Sequence, residues 1–224
     1  MTRSGLVVVD YGAGNLVSIR NALELLGGPP TIATTEDDIA GASVIVVPGV
    51  GASGPAMERM ERMGLADPIR EAIRDGAWYV GICLGMQLLF ERSDEDGAQM
   101  LGLLEGDVVA IADAPRLPHI GWNQLEVQRP HALLDGVADG APAYFVHSYV
   151  ARPADASIVI TETQHGTRFP SIIVSDRVIG YQFHPERSGS DGLQLLRNML
   201  HLTGLVPVAD GAASRTQALS AGVS

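Results

Sequence analysis

The sequence predicts an α/β fold: a mixed, mostly parallel sheet flanked by helices, with a β-rich second half. Three observations predict it. Short apolar runs are each cut off by a Gly-, Pro- or Asp-containing turn, stretches with helical spacing lie between them, and after about Gly102 the pattern changes to β-rich sequence with short links. Strands alternating with helices at these lengths imply βαβ units, in which helices cover both faces of a parallel sheet.

Leu6 to Val9, ended by Asp10, reads as a buried parallel strand because it is apolar throughout rather than alternating. From Asn15 to Leu26, apolar residues recur at helical spacing (Leu16, Ile19, Leu23, Leu26), and Gly27-Gly28-Pro29-Pro30 stops the helix. Ser43 to Val47 is a second buried strand, cut by Pro48 and Gly49, and amphipathic helix follows through Met57 to Met63 and Asp67 to Arg74. Trp78 to Ile82 is a third strand that leads directly into a helical segment, Leu84 to Arg92. Beyond Gly102 the strand candidates are Val108 to Ile111, Leu125 to Val127, Tyr144 to Val150, Ile158 to Thr161, Ile172 to Val174 and Val178 to Phe183, with a closing helix from Gly189 to Leu202. No linker or repeat divides the chain. One domain over residues 1–206 is expected, and the tail 207–224, rich in Ala, Ser, Gly and Thr, is expected to be disordered.

At 224 residues, with 46% hydrophobic and 18% charged residues, the chain can bury a sizeable core. A net charge of -11, with every basic residue an Arg, disfavours nucleic acid or an anionic membrane as partner. A single Cys excludes an internal disulfide and fits a reducing cytoplasm. The N-terminus has no signal-peptide pattern, and no run approaches the roughly 18 apolar residues of a membrane span.

Gly81-Ile82-Cys83-Leu84-Gly85, between a strand and a helix, is the cysteine version of a nucleophile elbow. The nucleophile sits on a tight turn, and its flanking glycines let neighbouring backbone pass close by. A helix N-terminus after Cys83 favours negative charge on sulfur, and the Leu84 N–H can donate to an oxyanion. A lone Cys is otherwise most often a small, inert core residue. A thiol nucleophile needs a base and the base an orienting group, and Gln182-Phe183-His184-Pro185-Glu186 offers both at a strand end. Residues two apart on an extended segment share a side, so His184 and Glu186 are expected to converge. H-x-E by itself reads better as a surface Glu beside a partly buried His. Pro48-Gly49-Val50-Gly51 can turn N–H groups toward a ligand, or can be an ordinary Gly-rich turn. Asp10 to Asn15 resembles a dinucleotide loop, but Val17 stands where the third glycine belongs. The scattered His and single Cys do not have zinc-ligand spacing, so neither cofactor nor metal is expected.

Taken together, these segments resemble class I, or triad-type, glutamine amidotransferases from Leu6 to about Leu202. Within that class they resemble the glutaminase subunits of imidazole glycerol phosphate synthase. The G-x-C-x-G and H-P-E pieces mark the class. The narrower resemblance is carried by Asp10-Tyr11-Gly12-Ala13-Gly14-Asn15-Leu16, Pro118-His119-Ile120-Gly121-Trp122-Asn123 and Phe145-Val146-His147-Ser148-Tyr149. The resemblance implies a catalytic triad of Cys83, His184 and Glu186, and an oxyanion hole from Gly49, Val50, Gly51 and Leu84. It also implies glutamine-binding groups at Gly51, Gln87, His147, Ser148 and Tyr149. It further implies a (βα)8-barrel cyclase partner in a heterodimer, with ammonia channelled across an interface near Asn15, Trp122, Tyr144 and Arg187, and glutaminase activity gated by that partner. Arg187 departs from the Lys expected there, and a guanidinium fork bonds differently from an ammonium. Trp122 and Tyr144 read equally well as core aromatics. The rivals are a glutaminase subunit of a pyridoxal phosphate, anthranilate or carbamoyl phosphate system, which should lack the P-H-x-G-W-N and F-V-H-S-Y segments, a non-catalytic docking subunit of the same fold, and a cysteine hydrolase of related architecture.

Overall fold

A computed structural model of the chain describes residues 5–14 and 16–207. Asn15 and the tail beyond Pro207 lie outside the described residues. The first half runs β1 (Leu6–Val9), α1 (Leu16–Leu25), β2 (Thr31–Ala33), α2 (Glu36–Ala40), β3 (Val44–Gly49), α3 (Ser53–Arg62), α4 (Ala66–Arg74), β4 (Trp78–Cys83) and α5 (Leu84–Gln87). The second half contains β5 (Arg92–Ser93), β6 (Gly106–Ala110), β7 (His119–Val127), β8 (Ala141–His147), β9 (Tyr149–Pro153), β10 (Val159–His165), β11 (Thr167–Ser175), β12 (Val178–Tyr181) and α6 (Gly189–Leu202).

The strands β2-β1-β3-β4-β12-β11-β10-β7-β8 form one mixed sheet, and β5-β6-β9 form a smaller one. Pairing is parallel from β2 through β4 to β12, and antiparallel from β12 through to β8. Period-2 alternation divides the core between the two faces of the large sheet. Val7, Val9, Ile45 and Val47 pack with Met57, Met60 and Ile69 of α3 and α4. Leu6, Val8, Val44 and Val46 pack on the other side with Ile19 and Leu23 of α1 and Leu195, Leu196 and Met199 of α6.

Local chemistry accounts for the element ends. The Gly27-Gly28 stop is a Schellman motif: Gly28 N–H donates to Leu23 C=O at 2.9 Å and Gly27 N–H to Glu24 C=O at 3.1 Å, with Gly27 at φ +83°. The sequence reading passes over β2 and α2, which are short. Helix α2 is held by a capping box in which Thr35 and Asp38 satisfy each other's backbone N–H groups. Three expectations need correction. Strand β3 continues through Pro48 and Gly49, because the pairing to β1 has ended at Val46 and the missing Pro48 N–H falls beyond it. The helix expected from Leu84 to Arg92 is a single turn, α5. After it the chain bends at Leu88 to Glu91 and enters β5, with Leu88, Leu89 and Phe90 all buried. The expected strand Tyr144 to Val150 is two strands, β8 and β9, broken at Ser148.

The parallel half aligns strand ends. Gly49 pairs with Cys83 across β3 and β4, and Ile82 with Tyr181 across β4 and β12. The carboxyl ends of three adjacent strands therefore meet on one edge, where open α/β sheets hold their ligands. The close packing beneath that edge excludes a side chain at Gly85, whose added Cβ would collide with the Val47 carbonyl. Gly85→Ala is expected to cost about 3 kcal/mol, the upper part of the overpacking range, measured as a lowered midpoint in chemical denaturation.

Candidate active site

Cys83 has φ +53° and ψ −109°, a strained conformation for a residue with a Cβ. The sheet holds it there, since β4 is paired on one side to β3 and on the other to β12. The flanking glycines have separate reasons: a Cβ at Gly81 would meet the Gly85 carbonyl, and one at Gly85 the Val47 carbonyl. Tyr79 O–H donates to the Gly85 carbonyl at 2.8 Å and pins the turn from below. Burial pushes the Tyr79 phenol well above its ordinary range, so it remains a donor. The Cys83 thiol is buried and lies 3.8 Å from the Val146 carbonyl.

His184 and Glu186 do converge, but not by strand alternation. Strand β12 ends at Tyr181, and Pro185–Arg187 is a 3-10 turn with Pro185 at its start. The turn folds Glu186 back onto His184, with Nδ1 2.9 Å from Oε1 and both side chains less than a tenth exposed. The other ring nitrogen, Nε2, is buried without a hydrogen-bond partner. Burial by itself would depress the imidazole, but hydrogen bonding and charge from Cys83 and Glu186 outweigh it and raise His184 to about 10. A cationic imidazole beside a thiol, steered by a buried carboxylate, is the arrangement that a thiolate nucleophile needs.

A cavity of about 260 Å³ opens at Cys83, lined by Gly51, Leu84, Gln87, His147, Ser148 and Tyr149 among others. Of the residues anticipated for an oxyanion hole, Gly51 (φ +95°) and Leu84 reach the cavity wall. Gly49 lies behind it, packed against the Tyr11 hydroxyl and Leu84 so closely that no Cβ fits, and Val50 is half exposed. Gln87 donates from Nε2 to the Tyr149 carbonyl at 2.8 Å and to Gln182 Oε1 at 3.2 Å, which leaves Gln87 Oε1 as an acceptor. Ala52, Glu95, Pro118 and Val146 also line the cavity and were not anticipated. Burial, and after it the charge of Asp96, raises Glu95. It follows β5, three residues beyond the expected helix end at Arg92, and only the knowledge that the chain bends back after α5 could have found it.

On the surface, Trp122 of β7 pairs across the ladder with Tyr144 of β8, and their rings meet edge-on at 6.1 Å. The Arg187 guanidinium lies over the Tyr144 ring at 4.5 Å. Trp122 is 57% exposed, so it is not a core aromatic, and the three side chains form one contiguous patch. Asn15, expected beside them, lies outside the described residues. Among the described residues no helix is long and apolar enough to cross a membrane.

Residues 7–202 match the family model for class-I glutamine amidotransferases. The chain is 46% identical over 194 residues to the imidazole glycerol phosphate synthase subunit HisH of Aquifex aeolicus, covering 86% of this chain and 94% of that protein. It is 43% identical over 196 residues to the same-named subunit of Geobacillus thermodenitrificans, covering 84% and 92%. Its fold is similar to that of PurLQS from Thermotoga maritima, with a TM-score of 0.71 at 22% identity over 90% of this chain and 99% of that chain. At that identity the likeness concerns the fold alone.

The His184–Glu186 pair makes a signed prediction. A histidine raised from 6.5 to about 10 on folding contributes stability that is full below pH 6.5 and lost as pH rises through 10. Thermal melts of the wild type and of Glu186→Gln should therefore converge between those limits. The wild-type advantage should shrink by at least about 1 kcal/mol, roughly 2–4 °C for a chain of this size. An advantage that grows with pH would contradict the charged pair.

Proposed function

The chain belongs to the class-I glutamine amidotransferase family, and from that premise we propose that it is the glutaminase subunit of an imidazole glycerol phosphate synthase. In that role it hydrolyses glutamine to glutamate and ammonia for histidine biosynthesis. The observation that carries this reading is the meeting of Cys83 with the buried His184–Glu186 pair at one end of an amino-acid-sized cavity. The length and degree of the likeness to HisH proteins support the choice of pathway over the other amidotransferase systems. The amidotransferase domain spans residues 1–206, and the protein works in the cytoplasm.

The Cys83 thiolate attacks the side-chain carbonyl carbon of glutamine, and the carbonyl oxygen takes the negative charge. N–H groups of Leu84 and Gly51, the two anticipated residues that reach the cavity wall, stabilise that oxyanion. Cationic His184 gives a proton to the departing nitrogen, the C–N bond breaks, and ammonia leaves behind a glutamyl thioester. Neutral His184 then takes a proton from water, the hydroxide adds to the thioester carbon, and the C–S bond breaks to release glutamate and restore the thiolate. Glu186 holds the imidazole through Nδ1 at both stages. Gln87 Oε1, the Ser148–Tyr149 backbone and the carboxylate of Glu95, which suits an α-ammonium group, supply the polar contacts that hold the amino acid.

The ammonia passes to a (βα)8-barrel cyclase subunit in a heterodimer, which makes imidazole glycerol phosphate and aminoimidazole carboxamide ribotide. The patch of Trp122, Tyr144 and Arg187 faces that partner, and Asn15, outside the described residues, is proposed to contact it too. An Arg at position 187 suits this patch because its planar guanidinium stacks on Tyr144.

Cys83→Ser is expected to lower glutamine-dependent synthesis by the reconstituted complex by more than about 1,000-fold, since the nucleophile is lost. Synthesis from added ammonium salt should continue. Glutamine-dependent turnover surviving in this variant would remove Cys83 from the mechanism. The purified chain by itself should hydrolyse glutamine poorly and speed up when the cyclase and its nucleotide ligand are added. A glutaminase assay with and without them decides this.

A further inference from the structure

His119 of β7 and His147 of β8 are direct cross-strand partners, and both rings are buried. His147 Nδ1 lies 2.9 Å from the Tyr149 carbonyl. A carbonyl can only accept, so this nitrogen carries the proton and His147 Nε2 is bare. That bare nitrogen lies 3.2 Å from His119 Nδ1, which must therefore be the donor. His119 Nε2 is then an acceptor, and its neighbour at 3.2 Å is the Asn123 amide nitrogen. The same amide also donates to the Gln164 carbonyl at 3.0 Å, which fixes its orientation. One arrangement of protons thus satisfies every link from Asn123 through His119 and His147 to Tyr149, with both rings neutral. Burial, the largest cause in each case, depresses His119 to about 4 and His147 to about 3, in keeping with neutral rings. The His119 ring is clamped between Phe145, stacked at 5.0 Å, and His165, stacked at 4.0 Å, and His165 is itself held by the Arg116 carbonyl at 2.8 Å.

The chain ends in the wall of the catalytic cavity. Its last acceptor, the Tyr149 carbonyl, is shared with Gln87, and His147, Tyr149 and Gln87 all line that cavity. We propose that His119 and Asn123 are positioning residues for glutamine hydrolysis, acting by locking His147 as the Nδ1–H neutral tautomer and holding the Tyr149 wall through it. With both nitrogens occupied, His147 offers no base and no charge to the substrate, and His184 is the imidazole whose second nitrogen, Nε2, has no partner. This inference rests on the glutaminase reading.

Two variants of the complex separate hydrogen bonding from packing. His119→Phe retains the ring between Phe145 and His165 but loses the donor. His119→Asn loses the ring stack but can place its amide nitrogen where Nδ1 stood. The expected result is a glutamine KM raised about tenfold by His119→Phe and about twofold by His119→Asn, with kcat little changed, as for the loss of one buried hydrogen bond that positions substrate. Ammonium-dependent synthesis by both complexes reports that they fold and dock. A harmless Phe with a damaging Asn, or equal effects of the two, would overturn the proposal. Nitrogen NMR of the wild-type imidazoles is an activity-independent readout. Protonated Nδ1 and bare Nε2 are expected at both His119 and His147, and an Nε2–H signal from either ring would refute the chain. If the wild-type complex released no ammonia from glutamine, the glutaminase reading would fall, and the positioning role with it, whereas the tautomers would still be read independently.

Discussion

The constraint on which the rest of this structure depends is the backbone of Cys83. A non-glycine residue at φ +53° is unfavourable by roughly 1–3 kcal/mol unless its surroundings hold it. They do so through ladder pairing on both sides of β4 and the bond from Tyr79 to the Gly85 carbonyl. Absent Cβ atoms at Gly81 and Gly85 let the chain fold over itself. The turn sets the sulfur at the end of the sheet rather than alongside it, within reach of whatever the two neighbouring strands deliver. Strand order then decides what that is: β3 brings the Gly49–Gly51 loop and β12 leads into His184.

Electrostatics assigns different states to His184 and His147. His184 is buried, and a buried imidazole ordinarily loses its proton. The carboxylate of Glu186 at 2.9 Å and the sulfur reverse that, so the burial that weakens a lone cation here strengthens a paired one. His147 is as deeply buried but faces a carbonyl and another imidazole, and it stays neutral. Equal burial with opposite partners gives one cationic and one neutral imidazole.

Much of this was legible in the sequence. The apolar run at β1, the Gly27-Gly28 stop and the span of α6 are local signals, and the structure has them where the pattern put them. The elbow was legible because two glycines around a Cys at a strand end have few other uses. What could not be read depends on long-range placement. Helix α5 stops after one turn because Leu88, Leu89 and Phe90 are drawn into the core, and an apolar run by itself does not distinguish that from a longer helix. Glu95 reaches the cavity only because of that bend. The convergence of His184 and Glu186 was anticipated for the wrong reason, since a 3-10 turn and not an extended segment brings them together.

The antiparallel half of the sheet explains why the segments that carry the narrower resemblance are not those of the elbow and the His184–Glu186 turn. Strands β7 and β8 lie at the edge opposite β2, yet the break at Ser148 turns the end of β8 back over Cys83. The same hairpin carries Trp122 and Tyr144 paired on its surface, and His119 and His147 paired beneath. Alternation along a strand puts neighbours on opposite faces, so Trp122 and Asn123 are adjacent in sequence but face different surroundings. In the proposed function one face meets the partner and the other holds the substrate wall. A one-residue slip of this ladder would exchange the two sets of side chains, which ties docking and substrate binding to a single register. The P-H-x-G-W-N and F-V-H-S-Y segments together encode that register, whereas G-x-C-x-G and H-P-E encode only the chemistry.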